Sequence, residues 1–200
     1  MGNSKIIEKP DWVSWNDIHN VLWAAHANNR DKGISMRYAS LSGEEIRQRV
    51  EGKGKMFCAI IDDRLVGTAA IVTKKTKLWF NPKPTEYAYF CFASVLPGYT
   101  GQGVYKQLLL SREKEREKMG LSLIMFDTHE NNQRVLAINR KNGFKPVDYK
   151  FYKDHFNVVM VNWPNGCPFS DARIKYEFLK RKIIVKIKYG INKLFHKRGG

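Results

Sequence analysis

The feature that most constrains the fold is a glycine-rich segment between a predicted strand and a predicted helix. It reads Val-Leu-Pro-Gly-Tyr-Thr-Gly-Gln-Gly-Val-Tyr-Lys-Gln-Leu-Leu over residues 95–109. Gly101 and Gly103 allow a tight turn with exposed amide groups, and the helix N-terminus adds unpaired N–H donors and a positive dipole end. Such a loop either binds a pyrophosphate without a cationic side chain or simply lets the strand and the helix pack.

This loop differs from two common nucleotide-binding motifs. No Gly-Lys-Ser/Thr follows the glycines, so it is not a P-loop. It also lacks the three-glycine spacing of a dinucleotide-binding loop, and no acidic residue closes the following strand at the usual distance. The kind of anion therefore has to be inferred from the rest of the chain.

The rest of the chain alternates short apolar runs with helical patterns, and a polar segment at residues 62–64 joins two of the strands as a hairpin. Ser42 and Glu45 match a helix capping box. The order of elements predicts an α/β domain over residues 1–168, with helices on the faces of a mixed sheet. Helices are predicted over residues 12–29, 42–50, 103–119 and 131–141, and strands over 56–61, 65–73, 86–95, 121–126, 147–152 and 156–163.

A second motif follows one helix and one strand later. It reads Asn-Asn-Gln-Arg-Val-Leu-Ala-Ile-Asn-Arg-Lys-Asn-Gly-Phe over residues 131–144. Together the two motifs resemble the GNAT acetyltransferases, in which a Val-x-Pro-x-x-x-Gly-x-Gly loop and helix precede an Asn-led helix ending in x-Gly-Phe. The resemblance covers about residues 56–163 and implies a GNAT-like fold. It also implies an N-acetyltransferase that moves an acetyl group from acetyl-CoA to an amine acceptor by direct attack in a ternary complex.

The resemblance further implies which residues bind acetyl-CoA. The pantetheine would lie between the strand ending at Val95 and the strand over residues 121–126. Ala93, Ser94 and Val95 would offer backbone hydrogen bonds to the pantetheine and the thioester. For Asn132, a simple helix cap is the alternative role. The other predicted cofactor-binding residues are Gly101, Gln102, Gly103, Val104, Tyr105, Lys106 and Asn139.

Three positions depart from the family pattern. Thr100 stands where Arg or Gln is usual, and Tyr105 stands where Gly or Ala is usual. A tyrosine at position 105 would crowd the phosphate channel unless its ring points away. Asn139 replaces the tyrosine that often protonates the departing thiolate, although a thiol with a pKa near ~8.5 is still a tolerable leaving group. A non-catalytic acyl-CoA-binding or membrane-tethered interaction module is therefore the alternative function.

An amine acceptor must lose its proton before it attacks, so N-acetyl transfer needs a general base or a desolvating pocket. Glu86 is the only carboxylate on the strand that leads into the glycine loop, which is where the family commonly has its base. His129 lies with Asp127 and Glu130 after the next strand, at the end where ligands gather in α/β sheets. Glu86 and His129 are the two predicted alternatives, and for each the other possibility is a solvated polar residue.

Residues 169–200 form a predicted basic amphipathic tail. The net charge of the chain is +16, and from residue 170 onward ten Lys and Arg face two acidic residues. Lysines lie between the positions of an apolar stripe, which either packs on the domain or adsorbs to an anionic membrane. Nucleic-acid binding is disfavoured, because the aromatic residues do not form a stacking platform. The stripe consists of Tyr176, Leu179, Ile183, Ile187, Ile191 and Leu194.

The remaining features predict a cytoplasmic protein, at most peripheral at the inner membrane face. Three cysteines lack metal-ligand spacing, so we predict reduced thiols and no bound metal. No stretch approaches the ~20 apolar residues that span a bilayer. A weaker resemblance to GNAT proteins of bacterial surface-polysaccharide synthesis suggests an amino-sugar precursor as the acceptor. The oligomeric state is left open.

Overall fold

The structure is a computed structural model that describes residues 4–34, 37–152 and 155–197, without the side chains of residues 37, 81, 82 and 191–197. It divides into two compact units, Met1–Ile124 and Met125–Gly200, and each is described separately. The predicted division at residues 168 and 169 stays a prediction.

The first unit is built on four strands in the order β1-β2-β3-β4, and each pair of neighbours is antiparallel. Helices from both ends of the unit pack against these strands. Two short 3₁₀ turns, Arg37–Ser40 and Pro97–Tyr99, complete it. The elements are β1 (Lys5–Glu8), α1 (Trp15–Ala25), α2 (Ala27–Asp31), α3 (Gly43–Val50), β2 (Gly54–Ile61), β3 (Arg64–Leu78), β4 (Asn81–Val95) and α4 (Val104–Lys118).

Local sequence signals explain how several of these elements begin. Ser14 and Ser42 each cap a helix through a capping box, and the second box is the predicted one with Glu45. The predicted β2–β3 hairpin is confirmed, with Asp62 and Asp63 at φ of 47° and 55° forming its two-residue turn. Both residues are left-handed, as in a type I′ turn, and Asp tolerates that region better than most residues.

The predicted helix over residues 12–29 is interrupted. His26 has φ −104° and ψ 12°, so α1 ends at Ala25 and the short α2 begins at Ala27. The interruption turns the His26 side chain into the unit, where only 7% of the residue is exposed.

A bulge in β4 changes which face of the strand its last residues use. Ala70 pairs with Cys91 and Thr68 pairs with Ser94, so two steps on β3 match three on β4. Phe92 inside the bulge has φ 53°, an unusual value for a bulky residue. Phe90 lies under Arg112 of α4, whereas Phe92 packs into the core beside α1 and α3. A β-bulge changes the face of the strand on which the following side chains lie.

The second unit contains β5 (Ile124–His129), which begins at the boundary, then α5 (Gln133–Lys141), β6 (Lys145–Tyr152), β7 (His155–Asn162) and α6 (Asp171–Lys197). The strand order is β5-β7-β6, and β6 and β7 are antiparallel. The helix α6 packs against β6, where Phe178 meets Tyr149 and Tyr189 meets Phe151.

The face of α6 that packs is not the predicted stripe. Tyr176, Leu179, Ile183 and Ile187 are between 50% and 64% exposed, and so is the neighbouring Ile184. Of the two alternatives predicted for this stripe, packing on the domain is therefore wrong for its described part. The side chains of Ile191 and Leu194 lie outside the described residues. The packing face instead uses Ile174, Phe178, Arg181 and Tyr189, which lie about half a helical turn away.

The predicted α/β class is confirmed, although several boundaries differ. The strand β1 was not predicted, because four residues with only Ile6 and Ile7 apolar give a weak signal. The strands β3 and β4 meet at residues 79 and 80, so both are longer than predicted. The strand β5 begins three residues later than the apolar run at Leu121 suggests.

Candidate functional site

The glycine loop has the geometry of an anion-binding turn. Gly101 and Gly103 have φ of 82° and 80°, and Gly103 is the N-terminal cap of α4. A Cβ atom built on either glycine has no atom within 4 Å. No side chain caps this helix end, so the amide groups of its first turn border open space.

Polar side chains in the loop bond to the preceding turn. The hydroxyl of Thr100 donates to the carbonyl oxygen of Pro97 at 3.0 Å, and the amide of Gln102 donates to that of Gly98 at 3.1 Å. These contacts tie the loop to the 3₁₀ turn before it. Thr100 stands where the family usually has Arg or Gln, and here its side chain stabilises the 3₁₀ turn. Lys106 is exposed in the first turn of α4.

The side chain of Tyr105 is directed along α4. Its hydroxyl bonds to the guanidinium of Arg112, seven residues further along the helix. Arg112 is 2% exposed and stacks on Phe90 at 4.4 Å, and burial lowers its pKa. A tyrosine ring held in this direction lies away from the start of the helix. It therefore does not crowd the glycine loop, where the phosphates are predicted to bind.

The end of β4 carries Ala93, Ser94 and Val95 into this loop. Ala93 and Val95 are half-buried, and Ser94 is 5% exposed. Because of the bulge at Phe92, Ser94 lies on the face of β4 that meets α1. Its hydroxyl is 3.0 Å from Nε2 of His26.

His26 is the centre of a polar cluster that the sequence analysis missed. Its Nε2 is 3.0 Å from the hydroxyl of Tyr38 as well as from that of Ser94, and its Nδ1 is 2.9 Å from the amide nitrogen of Asn29. Burial, with a smaller contribution from the charge of Arg30, lowers the pKa of His26 to about 4. Residues 26, 38 and 94 are far apart in sequence, and no motif links them.

Glu86 lies at the other end of β4. Its carboxylate is 57% exposed and pairs with Lys75 at 3.7 Å. Eight residues separate it from Ser94, which is about 26 Å along an extended strand. Its role as a base stays a prediction, but the structure does not bring it near the glycine loop.

The other predicted base, His129, lies in the second unit and is 8% exposed. Its Nδ1 accepts the backbone N–H of Asn131 at 3.0 Å, and its ring stacks on that of His155. Asp127 accepts from the amide of Asn157 at 2.7 Å. Glu130 accepts the hydroxyl hydrogen of Tyr149 and lies near two lysines of α6. All three side chains are thus held within their own unit.

Asn132 and Asn139 are both buried in the second unit. Asn132 sits at the N-terminal cap position of α5, but its side chain makes no capping bond and donates to the hydroxyl of Thr128 at 3.2 Å. The amide of Asn139 donates to the carbonyl oxygen of Val135 at 2.9 Å. Their predicted contacts with a cofactor remain predictions. Among the described residues, no three His, Cys, Asp or Glu side chains are grouped as metal ligands would be.

Solved structures of known acetyltransferases share this fold. The ribosomal-protein-S18-alanine N-acetyltransferase of Escherichia coli is 16% identical, with a TM-score of 0.61 over 80% of this chain and 94% of that chain. PaiA N-acetyltransferase of Thermoplasma acidophilum, solved with coenzyme A, is 20% identical, with a TM-score of 0.60 over 80% and 99%. A GNAT family acetyltransferase of Elizabethkingia anophelis with acetyl-CoA bound is 12% identical, with a TM-score of 0.57 over 80% and 98%.

A search of curated proteins gives no match. A family model described as the acetyltransferase (GNAT) family matches residues 15–144, which is well over half of the chain and includes both the glycine loop and the helix α5. The chain belongs to the GNAT acetyltransferase family.

Proposed function

We propose that this protein is an acetyl-CoA-dependent N-acetyltransferase that acts by direct attack of an amine in a ternary complex. The observation that carries the proposal is the open, uncapped start of α4 behind two left-handed glycines. Backbone N–H groups at such a helix start bind phosphates, and the pyrophosphate of acetyl-CoA is the group that the family brings there. The thioester would then lie beside the backbone of residues 93–95.

The chemistry requires a neutral amine and a stabilised oxyanion. Backbone donors beside the thioester would stabilise the tetrahedral oxyanion, which is usually the largest catalytic contribution. Asn139 has an amide in place of an acidic hydroxyl, so the proton for the thiolate has to come from another group. For the acceptor we propose an amino-sugar precursor of a surface polysaccharide, in keeping with the basic, cytoplasmic character that we infer for the chain.

The proposal is tested with two matched glycine variants. Gly103 and Gly120 both have left-handed φ, at 80° and 66°, and a Cβ atom would meet no other atom at either. Alanine therefore strains the backbone at both sites, but only Gly103→Ala places a methyl group in the proposed phosphate site. We expect calorimetry to show acetyl-CoA affinity reduced at least about tenfold, or about 1.4 kcal/mol, for Gly103→Ala alone. Equal affinities for the two variants would refute the phosphate site.

A turnover assay distinguishes an N-acetyltransferase from a non-catalytic acyl-CoA-binding module. Release of free CoA from acetyl-CoA should depend on an added amine, and a panel that includes amino sugars should give different rates. A protein that binds acetyl-CoA but releases no CoA with any amine would be the non-catalytic acyl-CoA-binding module.

A second part of the proposal concerns location. We infer that the exposed face of α6 binds an anionic membrane surface. Five large apolar side chains, each half or more exposed, form one face of this helix from Tyr176 to Ile187. Lys180 lies among them, and Lys175 and Lys188 flank them and are exposed. None of the helices in the described part of the chain is long and apolar enough to cross a membrane, and an interfacial helix does not need to be.

The contacts of α6 with its own unit support the same conclusion. Lys182 and Lys186 lie 3.8 and 3.7 Å from the carboxylate of Glu130, and Arg181 bonds to Asp148 at 3.1 Å. These basic residues hold the helix in place and leave the apolar face outward. Inserting a half-exposed Leu or Ile side chain gains about 1 kcal/mol, and each lysine near an acidic bilayer adds about 1 kcal/mol.

Sedimentation of the full chain with vesicles tests this surface. We expect binding to vesicles that contain phosphatidylglycerol and little binding to pure phosphatidylcholine. The double variant Ile183→Gln/Ile187→Gln should lose the part of binding that persists in high salt, and Lys180→Gln/Lys188→Gln should lose the part that salt removes. If the isoleucine variant instead converts a dimer into a monomer in light scattering, the face is a contact between two copies and the membrane proposal is wrong.

A further inference from the structure

The His26 cluster places a hydroxyl group beside a buried imidazole ring. A hydroxyl, an imidazole and an amide follow one another, from Ser94 through His26 to Asn29, at 3.0 and 2.9 Å. A hydroxyl within hydrogen-bond reach of an imidazole, which is itself oriented by a third group, is the usual arrangement for moving a proton. Tyr38 adds a second hydroxyl at 3.0 Å from the same Nε2.

Two irregularities of the fold create this contact. The bulge at Phe92 places Ser94 on the α1 face of β4, whereas in a regular strand of the same sequence Ser94 would share the face of Phe90, under α4. The break between α1 and α2 falls at His26 itself. A left-handed backbone is unfavourable for a bulky residue such as Phe92, so the surrounding structure must impose it.

We propose that Ser94 and His26 form the proton relay of the acetyl transfer, with Ser94 as the catalytic residue that touches the reacting amine. His26, Tyr38 and Asn29 are positioning residues that act through Ser94. The proposal rests on the proposed function, since it takes the thioester to lie beside residues 93–95. It assigns the proton chemistry to residues of the first unit in place of Glu86 or His129.

The relay accounts for every bond formed or broken and for the transferred proton, without a further reactant. The amine nitrogen forms a bond to the thioester carbon, and the carbonyl electron pair moves to the oxygen. The ammonium that results gives its proton to the oxygen of Ser94, while the hydroxyl proton of Ser94 passes to Nε2 of His26. When the C–S bond breaks, the proton returns along the same path to the thiolate, leaving an amide and CoA with a free thiol.

The groups around His26 suit the neutral form of its ring, which is the form that accepts a proton. An asparagine amide either donates to Nδ1 or accepts a proton from it, so Asn29 serves both neutral tautomers of the ring. When Nδ1 carries the proton, Nε2 accepts from the hydroxyls of Ser94 and Tyr38. Burial and the charge of Arg30 keep His26 neutral above about pH 5, and Nε2 accepts in the tautomer whose hydrogen is on Nδ1, with the amide oxygen of Asn29 turned towards it.

The test compares His26→Gln with His19→Gln. Both histidines belong to the α1 segment and bond to a neighbouring element, since Nδ1 of His19 lies 2.7 Å from the carbonyl oxygen of Leu41. We expect kcat to fall by about 10²-fold or more in His26→Gln and Ser94→Ala, with the KM for acetyl-CoA unchanged. His19→Gln should keep the wild-type kcat. Ser94→Thr, which retains a hydroxyl, should recover much of the activity lost in Ser94→Ala.

The results also distinguish this proposal from the proposed function. If the wild type transfers acetyl groups and His26→Gln loses stability but keeps its kcat, the cluster is structural and the relay is wrong. Loss of kcat in Glu86→Gln with an unaffected His26→Gln would assign the base to Glu86 instead. A wild type that binds acetyl-CoA but transfers nothing would overturn the proposed function, and the relay with it.

Discussion

His26 should make the stability of the protein depend on pH in a defined window. The histidine is 7% exposed, and its pKa falls from 6.5 to about 4, mainly because burial disfavours the imidazolium. Between these pH values the unfolded chain binds a proton that the folded chain does not bind. The free energy of unfolding therefore decreases as the pH falls from about 6.5 to about 4. Over that pH interval the free energy of unfolding decreases by about 3 kcal/mol, since each pH unit contributes about 1.4 kcal/mol.

Urea denaturation at several pH values measures this effect, with His26→Gln as the reference. Carboxylates such as Asp17 and Glu44, whose pKa values are lowered by hydrogen bonds, also destabilise the fold in acid, and the variant shares that loss. At neutral pH the wild type should be the more stable protein, because glutamine does not reproduce the cluster. This advantage should shrink by about 3 kcal/mol between pH 7 and pH 4.

The refuting result is a difference between the two proteins that does not change with pH. It would mean that His26 titrates alike in the folded and the unfolded chain, and so is not shielded from water. Titration of the His26 ring protons by NMR gives the same answer directly, since a midpoint near 6.5 would contradict the burial of the cluster.

Three further substitutions test individual contacts of the first unit by urea denaturation. Asp63→Gly should raise the free energy of unfolding by about 0.5–1 kcal/mol, because glycine suits the left-handed second position of the β2–β3 turn; a loss would show that the aspartate side chain matters there. Ser42→Ala should lower it by about 1 kcal/mol, since both bonds of the capping box disappear, and no change would mean that the box is not formed. Arg112→Met should lower the free energy of unfolding by far less than the 3–5 kcal/mol that is typical of breaking a buried ion pair. The reason is that Nε of Arg112 has no hydrogen-bond partner, and Phe90 can pack on methionine as well. A large loss of stability would show that the charge of Arg112 is compensated.

The parts of the fold that could be predicted are those with a local signal. The capping box at Ser42, the hairpin turn at residues 62–63 and the glycine loop before α4 each combine residue types that favour one backbone geometry. The loop also has a fixed relation to the helix that follows it, so anion binding is one of the two roles that its backbone chemistry predicts. The paired motifs at residues 95–109 and 131–144 then identify the family.

The α6 helix shows a different limit. Its sequence has two apolar faces, one with Ile174 and Phe178 and another with Leu179, Ile183 and Ile187. Periodicity shows that apolar faces exist but not which one meets the protein, because that depends on partners such as Tyr149 and Glu130 in the second unit. The face with the more regular spacing is the exposed one, and the less regular face packs.

The His26 cluster could not be predicted for a related reason. In a regular strand, Ser94 would lie on the same side as Phe90, and no rule applied to one sequence indicates that an extra residue is inserted at Phe92. His26 likewise falls inside a continuous helical pattern, and its rotation into the unit depends on a break with no proline or glycine to mark it. Glu86 and His129, by contrast, are indicated as bases by their positions along predicted strands. Ser94 and His26 meet only because of a bulge and a helix break, and no sequence pattern links them. A buried proton relay of this kind can therefore be found only from the folded chain.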